Sequence, residues 1–99
     1  MKIDFAKKFT NLNGDALQDT ESKKELSLRD VCVESLLAVD KREILDSEEK
    51  LKRYNLALEI FNSKKDSLSA EEIVLLKALI GKYYSTLIVG QALPMLDSD

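Results

Sequence analysis

Residues Ile73 to Met95, IVLLKALIGKYYSTLIVGQALPM, carry only two formal charges, Lys77 and Lys82. In a chain of 99 residues a stretch this apolar has to be covered, by its own fold or by a second polypeptide. Its first half has helical spacing: Ile73, Leu76, Leu79, Ile80 and Tyr83 form one bulky stripe. Val74, Ala78, Gly81 and Ser85 form a second stripe of small side chains. Small side chains let another backbone come close, and glycine inside a helix costs about 1 kcal/mol against alanine, so Gly81 predicts close packing there. A helix contacted on two sides is either the centre of a bundle or a pairing surface. A fourth short helix is expected from about Thr86, capped by Ser85 and stopped by Pro94, with a frayed tail over 94–99.

Outward from this stretch, three helix starts are written in the same grammar. Leu68-Ser69-Ala70-Glu71-Glu72-Ile73 places Ser69 and Glu72 as a capping box, with Leu68 able to staple onto Ile73. Leu26-Ser27-Leu28-Arg29-Asp30-Val31 repeats the arrangement, with Ser27 as cap and Asp30 at the third helical position. Asp46-Ser47-Glu48-Glu49 opens another helix, with its acids well placed for the helix dipole. These signals predict helices over about 28–39, 47–62 and 70–84. On the middle one, Leu51, Tyr54, Leu58 and Phe61 share a face with Ala57 beside it, which predicts the buried side; Leu56 and Ile60 fall well off it.

Ahead of the helices, residues 3–9 alternate Ile3, Phe5, Lys7, Phe9 against Asp4, Ala6, Lys8, and Asn13-Gly14 is a strong turn signal. A β-hairpin returning through Ala16 and Leu17 is expected within residues 1–20, followed by a polar, exposed loop over Gln18–Lys24. The fold class is thus mainly α (α+β), a short N-terminal hairpin packed on a three- to four-helix bundle spanning 27–93. The length fits a single domain, 1–99, with no room for a second core.

Composition narrows the chemistry. With 44% hydrophobic and 33% charged residues the balance is globular. A net charge of −3 and a pI near 5.0 argue against nucleic acid and anionic membrane as partners. The uncharged run Tyr83–Leu96 is 14 residues, short of a membrane span, and the start lacks a secretion-type apolar segment, so a cytoplasmic protein is expected. Histidine is absent, which rules out Ser-His-acid and Cys-His nucleophiles. Cys32, alone in the chain, sits among Leu28, Leu36 and Val39 on an apolar helix face and is expected to be a quiet core thiol. Glu48-Glu49 and Glu71-Glu72 diverge by ~100° around their helices and serve as caps better than as catalytic or metal-binding pairs. Neither a cofactor, a metal nor a small-molecule ligand is expected, and no enzyme.

Two features support binding. The apolar residues Leu56, Ile60, Val74, Ala78, Gly81, Tyr84 and Ile88 are candidates for a protein interface. Lys50, Lys52 and Arg53, joined by Lys64 and Lys65, are the alternative candidates, for nucleic-acid contact.

The runs Glu48-Glu49-Lys50-Leu51-Lys52-Arg53-Tyr54, Leu68-Ser69-Ala70-Glu71-Glu72-Ile73 and Leu79-Ile80-Gly81-Lys82-Tyr83-Tyr84-Ser85, with Val89-Gly90-Gln91-Ala92, resemble a group of small tailed-bacteriophage and prophage proteins. That resemblance implies a phage setting, where such proteins are assembly accessories, virion components or modulators of host proteins; it transfers no functional residues. The expectation is a non-enzymatic protein-interaction module, a homo-oligomer associating through its C-terminal helices in the host cytoplasm or the virion. A nucleic-acid-binding regulator using the middle helix, and an inhibitor of a host protein, are the alternatives.

Overall fold

The computed structural model describes residues 3–18, 24–38, 42 and 44–97. Four helices make up most of it: α1 (Leu28–Leu37), α2 (Ser47–Phe61), α3 (Ala70–Tyr83) and α4 (Thr86–Asp97). The caps expected at the first three helix starts are in place. Ser27 Oγ accepts from the Asp30 amide while the Asp30 carboxylate accepts from the Ser27 amide, and Ser69 and Glu72 reciprocate in the same way. Asp46 accepts from the Glu49 amide at 2.8 Å. α1 ends at an extended Ala38, with Val39 outside the described residues. α2 ends at Asn62, followed by Ser63 in left-handed backbone at φ 58°.

α1 is the hub, packing on both α2 and α3, while α4 packs on α3. One core runs through these contacts. It joins Leu28, Val31, Cys32 and Leu36 of α1, Leu56, Ala57 and Ile60 of α2, Leu76, Leu79 and Ile80 of α3, and Ile88, Ala92 and Leu96 of α4. Ile3, Phe5 and Phe9 of the N-terminal segment enter the same core.

The N-terminal hairpin does not form as a sheet. Among the described residues there are only isolated antiparallel bridges: Lys8 with Ser27, Thr10 with Ala16, and Gln18 with Glu25. The chain does reverse at Asn11–Asp15, where Asn11 Oδ1 accepts from the Asn13 and Asp15 amides and Gly14 takes φ +91°. What replaces a ladder is a ring of main-chain bonds. The Phe9 amide donates to Leu26 O, the Leu26 amide to Leu17 O, and the Leu17 amide to Phe9 O. Each segment therefore pairs with two neighbours over about one residue, leaving no length for a two-stranded ladder. Alternation over 3–9 is also broken, by a turn in which Asp4 accepts from the Ala6 and Lys7 amides; Lys7 is thereby turned outward.

This segment holds α1 by its start. The first two helical amides, Leu28 and Arg29, donate to Lys7 O and Phe5 O, so two donors with no partner inside the helix are satisfied from outside it. The Ile3 amide donates to Asp66 O, tying the same segment to the α2–α3 connection.

Pro94 does not stop α4; it lies inside it, and the expected frayed tail is helical through Asp97. Proline in a helix removes one amide and presses on the carbonyl four residues back, here that of Gly90. Both Gly90 and Pro94 are exposed, so water can serve that carbonyl. Beyond it Leu96 is fully buried and Asp97 pairs with Lys77 of α3, which fastens the last turn. Residues 98–99 lie outside the described set. None of the described helices is long and apolar enough to cross a membrane.

Candidate interaction surface

α2 is rotated relative to the sequence-based expectation. Its inward face is Leu56, Ala57 and Ile60, with Ile60 fully buried, and the expected core face points outward. Leu51 is 59% exposed, Tyr54 52%, Leu58 43% and Phe61 63%. The two faces stand ~120° apart around the helix, and Ala57 lies between them.

One polar contact from α1 accompanies this rotation. Arg29 Nε of α1 donates to Ile60 O at 3.2 Å, serving a carbonyl at the negative end of the α2 dipole. Arg53 lies along the inner rim, its side chain largely covered and bonded to Glu49 Oε2 at 3.2 Å. Ala57 presents little bulk at the α1 contact, so the helices can approach there, where an aromatic at the same angle would hold them apart.

Between α1 and α2 this rotation leaves a groove of about 180 Å³, lined by Val33, Leu37, Tyr54, Ala57, Leu58 and Phe61, with no polar atom facing it. Leu37 is half exposed. Leu51 continues the α2 stripe toward the helix start. This is a continuous apolar face built from two helices.

The sequence-based interface candidates are not gathered in one place. Leu56, Ile60 and Ile88 are core residues and offer no surface. Leu56 and Ile60 are inward because α2 turns its other face out; Ile88 is inward because it lies on the α4 face packed on α3. Val74, Ala78 and Gly81 are exposed along the outer side of α3, but only Val74 presents a large apolar group. Among the described residues nothing packs against Gly81: a methyl group built there would meet no atom within 4 Å, so the expected close approach is not seen. Tyr84 is half-buried, its hydroxyl donating to Glu34 Oε2 at 2.6 Å. The large side chains of the C-terminal helices are thus mostly enclosed by the chain itself; of the exposed large apolar residues, Leu37, Leu51, Tyr54, Leu58 and Phe61 lie on α1 and α2, Val74 on α3, and Leu12 and Ile44 outside the helices.

Lys50, Lys52 and Arg53 do not form a basic face. Lys50 and Lys52 are exposed but diverge by ~200° around the helix, and Arg53 is bonded inward to Glu49. Lys64 is exposed, while Lys65 spans the mouth of a separate α2–α3 cleft of about 390 Å³, reaching Glu59 at 3.6 Å and Glu72 at 3.2 Å. The Glu72 hydrogen bond holds the Lys65 ammonium above its ordinary range, against the effect of desolvation. Burial pushes the Glu72 carboxyl up, but the Ser69 amide and Lys65 together outweigh it and hold the group below the usual carboxylate range.

Cys32 is fully buried, and burial pushes its thiol up to about 12. Ser35, beside it, donates its hydroxyl to Cys32 O at 2.9 Å. Among the described residues, no group of three or more acidic, histidine or cysteine side chains is placed to hold a metal ion.

Neither a family model, nor a curated protein, nor a solved structure matches this chain.

Proposed function

We propose that this chain is a non-enzymatic protein–protein interaction module of phage or prophage type, with the α1–α2 face as its contact surface. One observation carries the reading: α2 directs Leu51, Tyr54, Leu58 and Phe61 to solvent beside an apolar groove, while a second set of side chains on the same helix fills the core. Contiguous exposed apolar surface on so small a domain marks a site that another surface covers. Aromatic side chains at its centre fit the composition of contact hot spots. The phage setting, with assembly accessory or modulator of a host protein as the roles it contains, follows from the sequence resemblance alone, and a cytoplasmic site of action goes with it. Lys50, Lys52 and Arg53 give the nucleic-acid alternative no continuous basic surface, so no observation favours it.

The test compares wild type with Leu58→Asp, Phe61→Asp and, as an exposed control on α3, Val74→Asp. Wild type and Val74→Asp should be retained in a complex, with themselves or with a component of a bacterial lysate, and the two α2 variants should not. Equal behaviour of all four proteins, each folded by circular dichroism, would rule this surface out.

A further inference from the structure

We infer that Asn13-Gly14, at the tip of the N-terminal reversal, is a site of spontaneous main-chain modification, where Asn13 loses its side-chain nitrogen as ammonia and becomes aspartate or isoaspartate. The inference is independent of the interaction reading above.

The chemistry needs only these two residues, base and water. The Gly14 main-chain nitrogen gives its proton to base and attacks Asn13 Cγ. The new C–N bond closes a five-membered succinimide, and the side-chain nitrogen leaves as ammonia, taking up a proton from water. A second water then adds to one of the two ring carbonyls. Breaking the nitrogen–Cγ bond leaves aspartate in an ordinary chain. Breaking the bond from nitrogen to the main-chain carbonyl carbon leaves isoaspartate, with the chain running through the former side chain. Nothing is oxidised or reduced.

Attack requires the side chain to meet the next main-chain nitrogen, and a Cβ on that next residue stands in the way. Glycine removes it. The asparagines are Asn11, Asn13, Asn55 and Asn62, and only Asn13 precedes a glycine; the others precede Leu12, Leu56 and Ser63. Asn11 Oδ1 already accepts from the Asn13 and Asp15 amides. Asn55 and Leu56 lie inside α2, and the Ser63 amide donates to Ile60 O at 3.2 Å.

The tip leaves Asn13 open to the reaction. Asn13 and Gly14 are both exposed, and a methyl group built on Gly14 would meet no atom within 4 Å. Leu12 beside them is 95% exposed, so no apolar contact anchors the tip. The Asn13 carboxamide has no hydrogen-bond partner among the described residues. One bond opposes the step: the Gly14 amide donates to Asn11 O at 3.0 Å. That bond closes a single exposed turn, which opens locally while the core stays intact, so it slows the attack without preventing it.

The two products differ in consequence. Aspartate keeps the main chain, and with it the bond from the residue 13 amide to Asn11 Oδ1. Isoaspartate inserts a carbon between the residue 13 and Gly14 nitrogens, inside the loop that the Asn11 amide closes on Asp15 O at 2.9 Å. The residue 13 and Asp15 amides then no longer converge on Asn11 Oδ1, and the Thr10–Ala16 bridge just beyond loses its support.

The folded chain is held at body temperature in mildly acidic and in mildly alkaline buffer, with the tryptic peptide Phe9–Lys23 beside it as an unconstrained clock. Mass spectrometry should show a gain of one mass unit, placed on Asn13 by fragmentation, running about tenfold ahead of the other asparagines and faster in the alkaline buffer. An isoaspartyl-specific methyltransferase should label the same position. Asn13→Gln, which has a larger ring to close, should stay unlabelled. Asn13 intact in the folded chain after the peptide has fully converted would overturn the inference, because the turn bond then protects the site. Earlier conversion at Asn62 would overturn it as well. The isoaspartyl form, separated chromatographically, should melt below wild type, and Asn13→Asp should melt with wild type. An isoaspartyl form that melts with wild type would overturn the effect assigned to the reversal.

Discussion

Gln91 offers the most demanding test of how the N-terminal segment is held. Its side-chain amide forms a closed pair with one peptide unit: Oε1 accepts from the Thr10 amide at 2.9 Å, and Nε2 donates to Thr10 O at 2.7 Å. Nε2 also reaches Leu87 O at 3.2 Å. In effect a side chain on α4 takes the place of a neighbouring strand. Gln91→Ala removes both bonds to Thr10, at about 1 kcal/mol each, and leaves two half-buried main-chain groups only partly served by water, for a total of about 2–3 kcal/mol. For a domain of this size each kcal/mol shifts the melting temperature by about 4–8 °C, so a fall of roughly 10–20 °C is expected by circular dichroism. Gln91→Glu gives the pH-dependent counterpart. Its carboxylate can still accept from the Thr10 amide but faces two carbonyls, Thr10 and Leu87, so its folded pKa is raised above the ordinary ~4.3. A raised acid pKa means the folded state binds the proton more tightly, so the deficit against wild type is full at neutral pH and shrinks as pH falls through the folded value. Urea midpoints for both proteins between neutral pH and about pH 4 check the sign. A Gln91→Ala variant melting within about 2 °C of wild type would refute the argument.

Three further outcomes are expected. Gly81→Ala should stabilise the chain by about 0.5–1 kcal/mol, because the added methyl meets only solvent and alanine favours the helix; a lowered melting temperature would mean that something packs on that face. Ile60→Ala should cost about 2–5 kcal/mol and Leu58→Ala under about 1 kcal/mol, measured by urea denaturation at concentrations too low for association; the reverse order would overturn the assigned rotation of α2. Glu72→Gln keeps the geometry of the capping box but removes the charge that Lys65 and the Ser69 amide favour. Because the folded pKa of Glu72 is lowered, its stabilisation is present above the unfolded value of ~4.3 and is lost as pH falls through the folded one. Wild type should therefore lose more stability than Glu72→Gln on acidification from about pH 5 to pH 3, and parallel curves would refute the assignment.

What the sequence made legible was local. Ser27, Asp46 and Ser69 announced three helix starts because a cap is a contract between residues three apart, complete within a single turn. The bulky stripe of α3 and the quiet burial of Cys32 were legible for a related reason: each lies on an element with one dominant apolar side. The readings that failed needed information from elsewhere in the chain. Asn13-Gly14 correctly marked a reversal, yet a turn signal does not say how far its arms stay paired. Here Phe9, Leu17 and Leu26 bond in a ring, and Gln91, distant in sequence, occupies the main chain of Thr10. Pro94 looked like a stop because its missing amide is a local fact, whereas burial of Leu96 and the Lys77–Asp97 pair, which carry α4 past it, are tertiary.

α2 shows the limit most sharply, and its lesson bears directly on function. The helix has two apolar stripes, and periodicity locates both without saying which one faces the core. Bulk favoured Leu51, Tyr54, Leu58 and Phe61; the fold chose Leu56, Ala57 and Ile60. Contacts with α1 accompany the choice: Arg29 reaches the Ile60 carbonyl, and Ala57 gives α1 a low place to cross. Once the smaller stripe is committed inward, the larger one keeps only the flank of α1 at Val33 and Leu37 beside it and stays about half exposed. The same ambiguity placed Leu56 and Ile60 among the expected interface residues, where the fold buries them. If bulk alone had governed burial, the aromatic stripe would be inside and α2 would present Arg53 and Ile60 to solvent. That it presents Tyr54 and Phe61 instead is difficult to explain by the stability of an isolated subunit, since exposing them contributes nothing to the fold. Their placement is explained if a second surface covers them, which makes α2 a helix with one face for its own core and one for an interface.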